Sequence, residues 1–155
     1  SPNHALAKSV AVNMMQNTLG GISTPEGFTI DSLDKVPNGY AFGGDYNFIP
    51  SSEDAIDINK WKNDALFDKQ VRSIFFKILN LGFYDALRLK TTQSNIYTQW
   101  DYQAGAWQQN EGVRIDHFLL NPLAVDKLIS FGLDKYMRSK DRPSEHIPIW
   151  ITIDR

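Results

Sequence analysis

Three short stretches of this chain bring together side chains that can move protons or hold charge. Gly44-Asp45-Tyr46-Asn47 offers a carboxylate and an amide, Arg114-Ile115-Asp116 a carboxylate beside a guanidinium, and Ser144-Glu145-His146 a carboxylate beside an imidazole. Carboxylates and imidazole are the usual groups of acid–base chemistry. Each stretch alone fits a structural role equally well, since an Asp or Asn in a turn commonly closes an Asx turn on its own backbone, and a histidine can simply be a satisfied structural residue. The chain has no cysteine, which removes thiolate nucleophiles, Cys-based zinc sites and disulfides and leaves the compartment open.

The elements that must carry these groups can be read from spacing. Tyr40 to Gly43 reads as a short apolar strand that delivers Asp45 and Asn47 at its C-terminal end. Val71, Ile74, Phe75, Ile78 and Leu79 form the stripe of a helix over 69–81, capped by Gly82. A strand is expected at 96–102, followed by a turn from Ala104 to Gly112. A second strand, from Val113 to Leu120, alternates before becoming wholly apolar. Asn121-Pro122 is an N-cap followed by proline at the first helical position, predicting a helix to Phe131 that Gly132 ends. A short strand at 133–138 and a final buried strand from Ile147 to Ile153 complete the pattern. Upstream, residues 4–18 have the spacing of a short amphipathic helix, while 20–39 lack any period and read as an irregular segment that crosses a partner surface. The fold class is α+β, with two parts: residues 1–40 as helix and docking segment, and 41–155 as the domain.

Composition narrows the classes of function. The 155 residues are 42% hydrophobic and 22% charged, as in a globular domain. No apolar run reaches the ~20 residues of a membrane-spanning helix, so no membrane insertion is expected. The net charge of −2 is spread evenly along the chain, so phosphate would have to be bound by specific residues rather than by bulk basic charge. The one local basic cluster, Arg138, Lys140 and Arg142 around Asp141, reads as a solvated loop.

Taken together and in order, the three stretches resemble the GD[YFM]N, R-[IL]-D and S-D-H motifs of the exodeoxyribonuclease III and apurinic endonuclease family, within the endonuclease/exonuclease/phosphatase proteins. Residues 100–110, from Trp100-Asp101-Tyr102 to Gln109-Asn110, are similar to the bacterial branch, of alphaproteobacterial type, and 81–88 to the family's helix end and following loop. The resemblance runs unbroken over about 41–153. It implies the C-terminal half of a four-layer α/β-sandwich, one mostly antiparallel sheet with flanking helices. It also implies metal-assisted hydrolysis of a phosphodiester, with magnesium stabilising charge on the phosphate oxygens. On this resemblance Asp45 orients or deprotonates the attacking water, Asn47 holds a phosphate oxygen, Asp116 fixes the tautomer of His146, and His146 faces the phosphate. Glu145 occupies a metal-associated position, while Gln99 and Ile115 line the pocket for an extruded abasic sugar.

The departures from the pattern matter as much. The family's first half supplies an Asn, the principal metal-binding Glu and a Tyr, and residues 1–40 contain no matching segments. Glu145 stands where the family has Asp, and Gln99 where it has an aromatic. The expectation is therefore a truncated, catalytically inactive remnant without cofactor, serving as an accessory subunit whose protein partners cover the missing half. The alternative is one half of a split, magnesium-dependent DNA exonuclease or apurinic endonuclease, for which nucleic acid becomes the partner. A non-catalytic nucleic-acid-binding module is a third reading, and the balanced charge argues against it. In a eukaryotic host the expected compartment is the mitochondrion; in a bacterium it is the cytoplasm.

Overall fold

The computed structural model describes residues 39–154; the helix expected at 4–18 and almost all of the irregular segment at 20–39 lie outside that range. The described residues form antiparallel sheets with flanking helices, in the order β1 (Ala41–Asp45), α1 (Lys69–Asn80), β2 (Tyr84–Asp85), α2 (Ala86–Lys90), β3 (Asp116–Leu120), α3 (Pro122–Lys127), β4 (Leu128–Leu133) and β5 (Ile149–Ile153). The expected mixed architecture is present, with the sheet divided in two. One piece has three strands, ordered β1-β3-β2, and the other is the pair β4-β5. Among the described residues no helix is long and apolar enough to cross a membrane.

The central strand β3 is apolar because it is covered on both faces. Successive side chains alternate sides. His117 and Leu119 face a core of Phe42, Phe48, Phe75, Ile78 and Phe83 under α1, while Phe118 and Leu120 face Ala86, Ala124, Phe131 and Ile151, which join the second sheet to the first. Helix α1 starts where the Asp68 carboxylate accepts the amides of Gln70 and Val71 at 2.8 and 3.0 Å, and it stops at Gly82, whose φ of +104° glycine tolerates best. β1 lies close against β3 because Gly43 sits opposite Phe118; a Cβ there would lie 2.2 Å from the ring.

Four local expectations change. The helix after Asn121 ends at Lys127, and residues 128–133 are strand, because Leu128, Phe131 and Gly132 find cross-strand partners in Ile153, Ile151 and Trp150; tertiary pairing overrides the helical period. Gly132 is thus no helix terminator but the place where the Trp150 ring crosses the backbone. Residues 135–139 form a 3-10 helix instead of a strand. The strand expected at 96–102 is reduced to isolated bridges at Gln99, and the final strand is only half covered, with Trp150 43% exposed.

An ionic hub, fully buried at its centre, ties these pieces together. Arg114, 1% exposed, donates through its guanidinium to Asp54 at 2.6 Å and to Asp85 at 2.8 Å, and its remaining Nη1 donates to His117 Nδ1 at 3.0 Å. Arg88 reaches the same Asp54 oxygen at 2.7 Å. Asp54 also accepts the Ser51 amide and hydroxyl, and Asp85 caps α2 through the Leu87 amide. Burial opposes the charge on Asp54, but the guanidinium of Arg114, helped by Arg88, outweighs it and holds the carboxyl below its ordinary range. Since His117 accepts from Arg114 through Nδ1, its proton sits on Nε2, facing the Phe48 carbonyl at 3.4 Å. Burial and the Arg114 charge push its pKa down to about 4.

Removing one member of such a hub strands the others. Arg114→Met is expected to lower the unfolding free energy by about 3–5 kcal/mol, because Asp54 and Asp85 then keep buried charge without the guanidinium. Guanidinium-chloride unfolding of the full chain checks this, and a loss under about 1 kcal/mol would show that the hub is dispensable.

Candidate functional site

The chemistry-bearing residues converge at one end of the three-stranded sheet. β1 ends at Asp45 just where β3 begins at Asp116, and the antiparallel register sets the two directly opposite each other. The chain then turns because the Asp45 Oδ1 accepts the Asn47 amide at 2.8 Å, an Asx turn with Asn47 at φ +51°. His146 arrives from the far side, Nδ1 2.9 Å from Asp116 Oδ2 and Nε2 3.9 Å from Asp45 Oδ2. A carboxylate only accepts, so Nδ1 carries the proton toward Asp116 and the neutral ring keeps Nε2 as its free acceptor. The Asp116 side chain is 12% exposed and that of His146 35%, so the anchoring end is sheltered and the ring is open to solvent.

The electrostatics follow from this packing. Burial raises the Asp45 pKa and the Asp116 charge adds to the rise, while the Asn47 amide and His146 act against it. The hydrogen bond to Asp116 raises the His146 pKa against the effect of burial, with the charges of Asp116, Asp45 and Glu145 adding to it. Donor atoms of Asp45, Asp116 and His146 lie within 4.8 Å of one another. Two opposed carboxylates beside an imidazole form a group that could hold a divalent cation. Such an ion supplies Lewis acidity toward phosphate oxygens.

The other expected site residues fall elsewhere. The Glu145 carboxylate accepts the Tyr102 amide at 3.2 Å and lies outside the cluster of three donors. Gln99 bridges by its backbone to both Val113 and His146. Ile115 is 3% exposed, in a core with Ile49, Ala55 and Val113. Spacing did not single out Asp54, Asp85, Arg88, Thr98 or His117. The available signals were Arg114 within its motif and Asp54 at the end of Ser51-Ser52-Glu53-Asp54, where the reciprocal Ser51–Asp54 bonds make a capping box.

The two described histidines should therefore titrate far apart. His146 has a raised folded pKa, so its contribution to stability is full below its unfolded value of about 6.5 and is lost as pH rises through the folded value. His117 is lowered, so its contribution is full above about 6.5 and is lost as pH falls toward its folded pKa of about 4. Ring-proton NMR in metal-free buffer should place His117 near 4 and His146 above 6.5, and Asp116→Asn should bring His146 down. A single shared midpoint would contradict the geometry.

No family model matches the chain. The exodeoxyribonuclease III of Haemophilus influenzae is 29% identical over 115 residues, covering 69% of this chain and 43% of that protein. An AP endonuclease structure from Archaeoglobus fulgidus superposes with TM-score 0.74 at 31% identity, covering 81% of this chain and 51% of that one. The 3'-5' exonuclease of Neisseria meningitidis gives TM-score 0.75 at 29% identity, covering 81% and 49%. The chain thus spans about half the length of each of these three proteins. Over that part it is a homologue of the exodeoxyribonucleases III and AP endonucleases, and it has their mixed fold of antiparallel sheets and flanking helices.

Proposed function

We propose that this chain contributes the Asp–His part of a metal-dependent phosphodiester-hydrolysing site acting on DNA, of the exodeoxyribonuclease III and AP endonuclease kind, and that residues beyond the described cluster complete it. The observation that carries this reading is the Asp116–His146 hydrogen bond of 2.9 Å, with Asp45 on the other side of the ring. In such a site Asp116 keeps the imidazole in one tautomer and favours its protonated form. His146 then turns Nε2 toward a phosphate oxygen, as a hydrogen-bond donor when charged. Asp45, across the ring from Asp116, is placed to orient a water. The Asn47 side-chain amide, past the Asx turn, is a candidate second contact to phosphate. Magnesium would be held by Asp45 and Asp116.

One observation favours a second reading, in which the chain is a catalytically inactive accessory subunit of a larger protein assembly. The Glu145 carboxylate is engaged by the Tyr102 amide, so among the described residues only two carboxylates enter the cluster.

The test is magnesium-dependent incision of a duplex with one abasic site, using the assembly isolated through the full chain. Under the first reading the assembly cuts, and His146→Ala or Asp45→Asn reduces the rate by about 10²-fold or more, the scale of a lost acid–base or phosphate-contact group. Cutting that is indifferent to both substitutions overturns that reading. An intact assembly that never cuts supports the accessory role.

A further inference from the structure

Asp116 and His146 are thirty positions apart in the sequence, and nothing in either segment alone makes them meet. Between them runs the short segment Thr98-Gln99-Trp100. On one side Thr98 and Gln99 donate their amides to the Val113 carbonyl, and Gln99 accepts the Val113 amide at 3.0 Å. On the other side the Ile147 amide donates to the Thr98 carbonyl at 2.9 Å and the Trp100 amide to the Glu145 carbonyl at 3.0 Å. The Thr98 side chain adds a contact that backbone pairing does not provide: its hydroxyl oxygen accepts the amides of both Ile115 and Asp116, each at 3.1 Å. Thr98 is 0% exposed.

We infer that Thr98 is the positioning residue of this site, its hydroxyl fixing the backbone of Asp116 while its carbonyl fixes that of Ile147, so that one residue sets the Asp116–His146 distance. This deepens the phosphodiester-site reading and rests on it only for its consequence for catalysis. Two amides converging on one oxygen determine where Asp116 starts and hence where its carboxylate points. Valine in place of Thr98 keeps the volume and loses the acceptor, so both amides are left buried without a partner. The segment at 115–116 would have to shift to find water or another acceptor, and the carboxylate would swing with it.

The imidazole reports the result without any substrate. Ring nitrogen shifts of neutral His146 at high pH distinguish the Nδ1–H tautomer, which Asp116 enforces, from the Nε2–H form. The unaltered chain should show Nδ1–H. Thr98→Ser keeps the oxygen and should keep that tautomer; Thr98→Val, with the His117 signal unmoved as proof of an intact core, should lose it and give a mixture. A folded Thr98→Val that still holds Nδ1–H overturns the proposal, as does Thr98→Ser losing it. Should Thr98→Val fail to fold, amide hydrogen exchange in the unaltered chain decides: slow exchange at both Ile115 and Asp116 is expected, and exchange at surface-loop rates overturns the assignment. Because neither readout involves cleavage, a chain that never cuts DNA can still satisfy them, so this proposal and the catalytic reading fail separately.

Discussion

The fold depends on a guanidinium that has no access to water. Arg114 must satisfy its donors inside the protein, and it does so with Asp54 from a 3-10 turn, Asp85 from the start of α2, and neutral His117 from β3. A charge at that depth is costly unless every partner is present, so the hub acts as a registration device. It holds a loop segment, a helix start and the central strand in a single arrangement. Arg114 also precedes Asp116 by two positions, so the hub anchors the chain just ahead of the candidate site.

Above the hub the site is assembled by register. The β1–β3 ladder sets Asp45 opposite Asp116, and the segment at 98–100 brings His146 alongside. Burial raises the Asp45 pKa and the facing Asp116 carboxylate adds to the rise, while one imidazole relieves part of the repulsion. The same arrangement that raises the pKa of Asp45 and of His146 also favours a cation. Sheltered aspartate and half-exposed ring divide the labour: one end is anchored and the other is open to solvent.

Much of this was legible in the sequence, for identifiable reasons. Helix α1 announces itself by an unbroken apolar stripe and by the Gly82 cap, and the three motif segments, read together and in order, point to their ancestry. The sequence misled where pairing overrides period: Leu128 to Phe131 continues a helical pattern, yet β5 takes it into a sheet. It was silent where the partner is remote. Nothing adjacent to Asp54 shows that it meets Arg114 sixty positions away, and Thr98 resembles any threonine in a strand until its hydroxyl is seen between two amides. Glu145 shows the opposite limit, since its position follows the motif while its carboxylate turns to the Tyr102 amide.

Asp45, Asp116 and His146 bring their donor atoms within 4.8 Å of one another, a group that could hold a cation. Titrating the full chain with manganese, a paramagnetic stand-in for magnesium, while recording backbone amide signals tests that directly. Selective broadening is expected at Asp45 and Asp116 and should disappear in the Asp45→Asn/Asp116→Asn double variant. Broadening confined to other acidic residues, or unchanged in the double variant, would contradict it.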